Sequence, residues 1–342
     1  MTVTSVSRRD EPRGTAGQRV RATFIAGMVS LLAHLPLAVV DGLCDAVGEL
    51  WYRVAADRAA MARGNLAHVA GWLAANGRGS ARARAAAADP AALERLVRAA
   101  FRHNVRTYAE TIRGAASARD TRRRLVIETP AALDAAFATS GPVIFASPHL
   151  GSMAAAATVM CDGCPVPITA PMETVADPEM QRLLRRARES GGARIVGLGE
   201  ARRELRAALA RGEGVGLVAD RDIAGGGLPV TLFGLPTTLP MGPAYLALEY
   251  AAPVHVASVR RTRGSRYSGR LVTLPHPPAD LPRRARIEAL LAATAAAFED
   301  LVADAPEQWW TVFFPIWHDV GPRPRGRPGA PAGTPGPPEP MR

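Results

Sequence analysis

The stretch Val143-Ile-Phe-Ala-Ser-Pro-His-Leu-Gly-Ser-Met-Ala-Ala155 holds the change of pattern on which the fold reading turns. Val143, Ile144 and Phe145 form a short apolar run of strand formers. Ser147-Pro148 breaks that run, and His149 stands in the break. Gly151 and Ser152 supply a tight turn and an N-cap, and Met153 to Thr158 reads as the start of a helix. A histidine lifted off the end of a buried strand, before a helix N-terminus, is placed to act as a general base. The plainer alternative is a loop histidine that only hydrogen-bonds.

Downstream of this stretch, strand-like and helix-like runs alternate. The strand candidates are residues 143–147, 166–169, 194–197, 215–219, 228–233, 254–260 and 270–274. The helix candidates are 130–139, 152–160, 177–189, 200–211, 241–250 and 284–303. Asp177-Pro178-Glu179 is a well-marked helix start, with an N-cap, a first-turn proline and a dipole-favoured acid. This alternation predicts an α/β fold, a mixed β-sheet covered by helices. Ligands in such sheets gather at the carboxyl ends of strands, where His149 falls. A second motif falls there too: Val215-Gly-Leu-Val-Ala-Asp-Arg-Asp-Ile223, followed by Gly225-Gly226-Gly227. Arg221 is suited to holding a phosphate bidentately. Asp220 or Asp222 can orient a histidine or, in the D-x-D spacing of metal-dependent glycosyltransferases, bind a metal. The alternative is a turn held by aspartate side chains.

Upstream, residues 1–18 read as a loose polar terminus. The apolar stretch Ala22–Val40 reads as a helix lying in the bilayer surface, with Arg19 and Arg21 toward lipid phosphates; a buried helix of a soluble domain is the alternative. From Gly42 to about Gly114 the pattern is helical, interrupted by a loop over 74–88. Near the end, Pro306-Glu-Gln-Trp-Trp310 through Trp317-His318 is an aromatic cluster in an aromatic-poor chain, capping the core or facing the membrane interface. Residues 319–342, rich in Pro, Gly and Arg, read as a disordered tail.

Composition narrows the function. All 42 basic residues among 342 are arginine, and the formal net charge is +11. The excess points to an anionic partner, but no zinc-finger, homeodomain or RNA-recognition signature accompanies it, so nucleic acid is not expected. Cys44, Cys161 and Cys164 are too few for a disulfide scaffold, and Cys161-Asp-Gly-Cys164 lacks a second pair. No metal-ligand set is assigned. There is no G-x-S-x-G elbow and no H-E-x-x-H site, so serine hydrolases of that type and zinc proteases have no support.

Taken in order, the N-terminal apolar helix, Arg63-Gly-Asn-Leu66, Phe101-Arg-His-Asn-Val-Arg-Thr-Tyr108, Ser147-Pro-His149, Leu217-Val-Ala-Asp-Arg-Asp222, Phe233-Gly234, Pro240-Met-Gly-Pro243 and Pro306-Glu-Gln-Trp309 form a recognisable series. The chain resembles the lysophospholipid acyltransferase superfamily, in the branch of the lipid A lauroyl/myristoyl acyltransferases, and most nearly the actinobacterial phosphatidylinositol mannoside acyltransferases. The resemblance spans about residues 20–318 and implies one glycerolipid acyltransferase-like domain over 19–318. It further implies acyl transfer from an acyl thioester, on coenzyme A or acyl carrier protein, to a hydroxyl of a lipid or glycolipid. No cofactor beyond that co-substrate is implied. The expected setting is the cytoplasmic face of the cell membrane, with peripheral or monotopic attachment. His149 takes the base role, backbone N–H groups at the following helix start hold the oxyanion, and an apolar channel takes the acyl chain. Gly151, Ser152 and Arg221 are assigned to substrate.

The family pattern puts an acid five positions after the histidine; here that position is Ala154. Three accounts follow. Another acid orients His149, with Glu173, Asp220 and Asp222 as candidates from neighbouring strand ends. Or an activated substrate needs less help, as in acylation of a specialised metabolite from a carrier protein. Or catalysis is impaired and lipid or carrier binding remains.

Overall fold

The computed structural model describes residues 14–113, 121–223, 225–318 and 320. Of the stretches expected to be loose, 1–18 and 319–342, residues 1–13, 319 and 321–342 lie outside them. Five helices come first: α1 (Ala16–Ala33), α2 (Leu37–Val54), α3 (Ala56–Ala75), the short α4 (Ala81–Ala85) and α5 (Pro90–Arg113). The apolar stretch 22–40 is therefore not one helix. Pro36 lacks an N–H and disfavours helical backbone at Leu35, so the chain breaks there and restarts at Leu37. Helix α1 also begins inside the segment read as a loose terminus. Among the described residues no helix is long and apolar enough to cross a membrane.

The rest is built on a sheet. Its strands are β1 (Leu125–Ile127), β2 (Val143–Ser147), β3 (Ile168–Met172), β4 (Arg194–Gly197), β5 (Gly214–Val218), β8 (Val254–Arg261) and β9 (Tyr267–Thr273), in the order β1-β9-β8-β2-β5-β3-β4. β8, β2, β5, β3 and β4 are parallel, and β9 turns back antiparallel to β8. β6 (Leu228–Leu232) and β7 (Leu235–Leu239) make a separate hairpin. Phe233 and Gly234 at its tip both have positive φ, the backbone of a tight turn that matches strand twist. β1 and β7 went unread in the sequence. β1 has only three residues, and β7 is interrupted by Pro236 and two threonines.

Helices α6 (Pro130–Phe137), α7 (Met153–Gly163), α8 (Pro178–Glu189), α9 (Leu198–Ala210), α10 (Gly242–Tyr250) and α11 (Arg283–Ala303) cover the sheet. β2 shows why both faces are covered. Ile144 and Ala146 join the large core cluster with α9, α10 and α11, while Val143 and Phe145 join the smaller cluster with α6. Met153–Gly163 begins where its sequence signs put it: the Ser152 hydroxyl accepts the Ala155 N–H at 3.3 Å. The C-x-x-C cysteines are both free, and burial pushes the Cys161 thiol up to about 11.

One buried ion pair locks the helical half to the sheet. Arg261, at the end of β8, grips Glu110 of α5 through Nε at 2.8 Å and Nη2 at 2.6 Å. The Tyr267 hydroxyl donates to the same carboxylate at 2.8 Å. Burial works against the Glu110 charge, but Arg261 and the hydrogen bonds from Ser152 and Tyr267 outweigh it and hold the pKa below its ordinary value. Removing one member strands a buried charge. Glu110→Ala is expected to destabilise the fold by about 3–5 kcal/mol, whereas Glu110→Leu combined with Arg261→Met recovers most of the loss. Denaturant midpoints of the two variants check this.

Candidate active site

β2 and β5 lie side by side in parallel, with Val143 opposite Gly214 and Ser147 opposite Val218. The pairing runs one step past the strands, where the Ala219 N–H donates to the Ser147 carbonyl at 3.0 Å. Carried two residues beyond each strand, the same register sets His149 against Asp220. The contact is direct. The Asp220 Oδ1 lies 2.6 Å from His149 Nδ1, and its Oδ2 accepts the His149 backbone N–H at 2.9 Å.

Two further donors reach the same carboxylate from the closing segment. Trp309 Nε1 and Thr311 Oγ1 each donate to Asp220 Oδ2 at 2.7 Å. The segment is seated by its backbone. The Trp310 N–H donates to the His149 carbonyl at 2.8 Å, and the Gly151 N–H to the Gln308 carbonyl at 3.0 Å. The Gln308 side chain accepts from the Arg261 N–H and donates to the Arg261 carbonyl, both at 2.8 Å. Asp220 is thus buried with four donors. Burial alone would raise its pKa; attraction to charged His149 and the hydrogen bonds from His149, Thr311 and Trp309 outweigh it and hold it at about 2.

With Nδ1 engaged, His149 Nε2 is left without a hydrogen-bond partner among the described residues. The ring packs 4.7 Å from Trp310. Arg221 lies beyond, its guanidinium 3.8 Å over the Phe314 ring and 5.6 Å from Trp310. Tyr108 meets Trp310 edge-on at 6.4 Å. Arg188 stands in the same patch: burial lowers its pKa, while Tyr108 and Glu173 pull it the other way.

Three of the sequence expectations need correction. Asp222 does not reach His149; its carboxylate accepts the Gly227 N–H at 2.8 Å and closes the glycine-rich loop. Glu173 faces Arg221 at 3.6 Å and not the imidazole. Gly151 and Ser152 are buried and spent on the turn. The Gly151 carbonyl accepts from Thr107, and Ser152 caps α7 and bonds Glu110. Gly151 has φ +64, and a Cβ there would stand 2.2 Å from the Val259 carbonyl oxygen. The two acids of the D-x-D motif point to different tasks, so they do not form a pair able to share a cation. Thr311 and Arg188 were not singled out from sequence; Trp309 stood in the closing Pro306-Glu-Gln-Trp309 motif and in the aromatic cluster, without a role.

One cavity, about 460 Å³, lies on the opposite face of α5 from Tyr108 and is lined by many charged residues. It does not match the apolar channel expected for an acyl chain. A crevice along Ala156, Val159, Met160 and Leu271 is apolar but only about 20 Å³.

The model of the bacterial lipid A biosynthesis acyltransferase family matches residues 15–318. The chain belongs to that family. It is therefore an acyltransferase, and the family carries acyl groups to lipid acceptors. No curated protein matches the chain significantly. In this acyltransferase the residue five past the histidine is Ala154, and the carboxylate on the imidazole comes from the neighbouring strand.

Asp220→Asn tests the pairing. By analogy with loss of the orienting aspartate in a catalytic triad, turnover is expected to fall by about 10⁴. The stability contribution follows from sign. The folded pKa of about 2 lies below the ordinary 3.8, so the contribution is complete above that value and is lost as pH falls toward 2. It amounts to about 2 kcal/mol at neutral pH. Unfolding midpoints between those two pH values should show this acid step in the parent protein and not in Asp220→Asn.

Proposed function

We propose that the protein moves a fatty acyl group from an acyl thioester, acyl-CoA or acyl-ACP, to a hydroxyl of a lipid or glycolipid at the cytoplasmic face of the membrane, with His149 as general base. The observation that carries the reading is the His149–Asp220 pair. An Nδ1–H held by Asp220 fixes the tautomer that leaves Nε2 as acceptor. Nε2 takes the proton of the acceptor hydroxyl as its oxygen attacks the thioester carbonyl. The tetrahedral oxyanion collapses, the C–S bond breaks, and the proton held on Nε2 goes to the departing thiolate. The products are an ester and a free thiol. The N–H groups of Met153 and Ala154 open α7 and take no hydrogen bond among the described residues; they are the donors assigned to the oxyanion. Arg221, held flat by Phe314, is assigned to a phosphate of donor or acceptor.

The N-terminal helices support membrane attachment. On α2, Val39, Leu43, Val47, Leu50 and Val54 are each about half or more exposed, and they recur every three or four residues. On α1, Val20, Phe24, Met28 and Leu31 do the same. Two helices with such stripes can bury them in the headgroup–acyl boundary without spanning the bilayer. Donor choice, acceptor and acyl length remain to be assigned by assay, and acylation of a specialised metabolite from a carrier protein is the competing outcome.

Purified protein given a long-chain acyl thioester and a glycolipid acceptor should form an ester. His149→Ala should lower the rate by about 10²–10⁴-fold; an unchanged rate sinks the mechanism. Leu43→Glu with Val47→Glu should reduce co-flotation with phospholipid vesicles while leaving the thermal midpoint in place.

A further inference from the structure

The 460 Å³ cavity has a charge pattern that the acyl-transfer site does not use. Its walls are α2, the face of α5 turned away from Tyr108, and the turn between β8 and β9. Three carboxylates reach it, and each has a cation or hydroxyl partner, although Asp45 Oδ1 is buried without a hydrogen bond among the described residues. Asp45 pairs with Arg106 at 2.8 Å. Asp41 lies 3.7 Å from the same arginine and accepts from Ser265. Glu110 is held bidentately by Arg261.

The cations are not matched in the same way. Arg113, Arg263 and Arg266 line the cavity and have no ion pair among the described residues. Nor is the donor count met. Arg261 is 9% exposed, yet its Nη1 is buried without a hydrogen-bond partner, and the same holds for Arg113 Nε. Buried donors of this kind are costly unless an acceptor reaches them. Guanidinium groups offer donors only, so a partner for them must bring acceptors, and the cations without an ion pair favour one that carries negative charge.

We infer that this cavity is a second anion site, separate from the His149 site, that takes a phosphate group. Arg113 supplies the wall cation and Arg263 and Arg266 the cations of the rim. Phosphate, with several acceptor oxygens, can meet more than one arginine at once, which a lone carboxylate does less well. Two sources carry that chemistry: a phospholipid headgroup, or a soluble phosphate compound. The exposed apolar stripe of α2 runs along the side of the helix opposite Asp41 and Asp45, so a bilayer bound there would bring headgroups near the cavity.

The test uses the full chain in an Arg221→Gln background, which takes out the cation beside His149. Inorganic phosphate is titrated calorimetrically at constant ionic strength. Adding Arg263→Gln and Arg266→Gln should weaken binding by about tenfold or more. Both side chains are exposed, so folding is not at issue, and an Arg284→Gln control should leave binding alone. Binding that is unchanged by the rim substitutions, or equally weakened by the control, overturns the site. Vesicles of phosphatidylcholine with phosphatidylglycerol then separate the sources. Displacement of phosphate by vesicles supports a headgroup ligand; phosphate retained on vesicle-bound protein supports a soluble one.

Discussion

A single carboxylate, Asp220, ties four parts of the chain together. It is 4% exposed, and it accepts one backbone N–H, one imidazole, one indole N–H and one hydroxyl. A carboxylate has about four acceptor directions; here Oδ2 receives three of the donors and Oδ1 the imidazole. That accounting is what makes a buried charge tolerable, since an unpaired one would take up a proton or destabilise the fold. It also makes the site rigid. The loop after β2, the end of β5 and the closing segment cannot shift separately without leaving an oxygen or a donor unmet.

The network puts a carboxylate on His149 although the position five residues past it is Ala154. On a helix, that position would approach the imidazole from the His149 side of the site. The β2–β5 register supplies a carboxylate from the other side, at an equal distance past the neighbouring strand. No local pattern announces this. The strands themselves were legible, because runs such as Val143–Phe145 and Val254–Arg261 are buried and β-rich. The helix starts at Ser152 and Asp177 were legible from capping chemistry. Adjacency of β2 and β5 is a property of sheet order, which a crossover topology conceals. Asp220 was therefore readable only as one of three candidates. Asp222 and Glu173 were indistinguishable from it until the geometry sent one to Gly227 and the other to Arg221.

The helical half follows a different logic. Pro36 divides one apolar stretch into two helices, and each of them keeps large side chains facing outward. The same α2 turns Asp41 and Asp45 inward to meet Arg106. One face of the helix thus packs Val40, Cys44 and the part-buried acids against the protein, while a stripe of large hydrocarbon side chains faces outward. A water-facing helix would gain nothing from that arrangement. A helix seated between a protein and a lipid interface gains on both sides. Glu110 and Arg261 then fasten this layer to the sheet directly behind the turn that carries His149.

The order of the tethers in the chain has a consequence for biosynthesis. Asp220 and Thr311 are 91 residues apart. At ribosomal speeds of about 5–20 residues per second, some 5–20 s separate the emergence of the two. Over that interval the nascent sheet presents a histidine without its full brace.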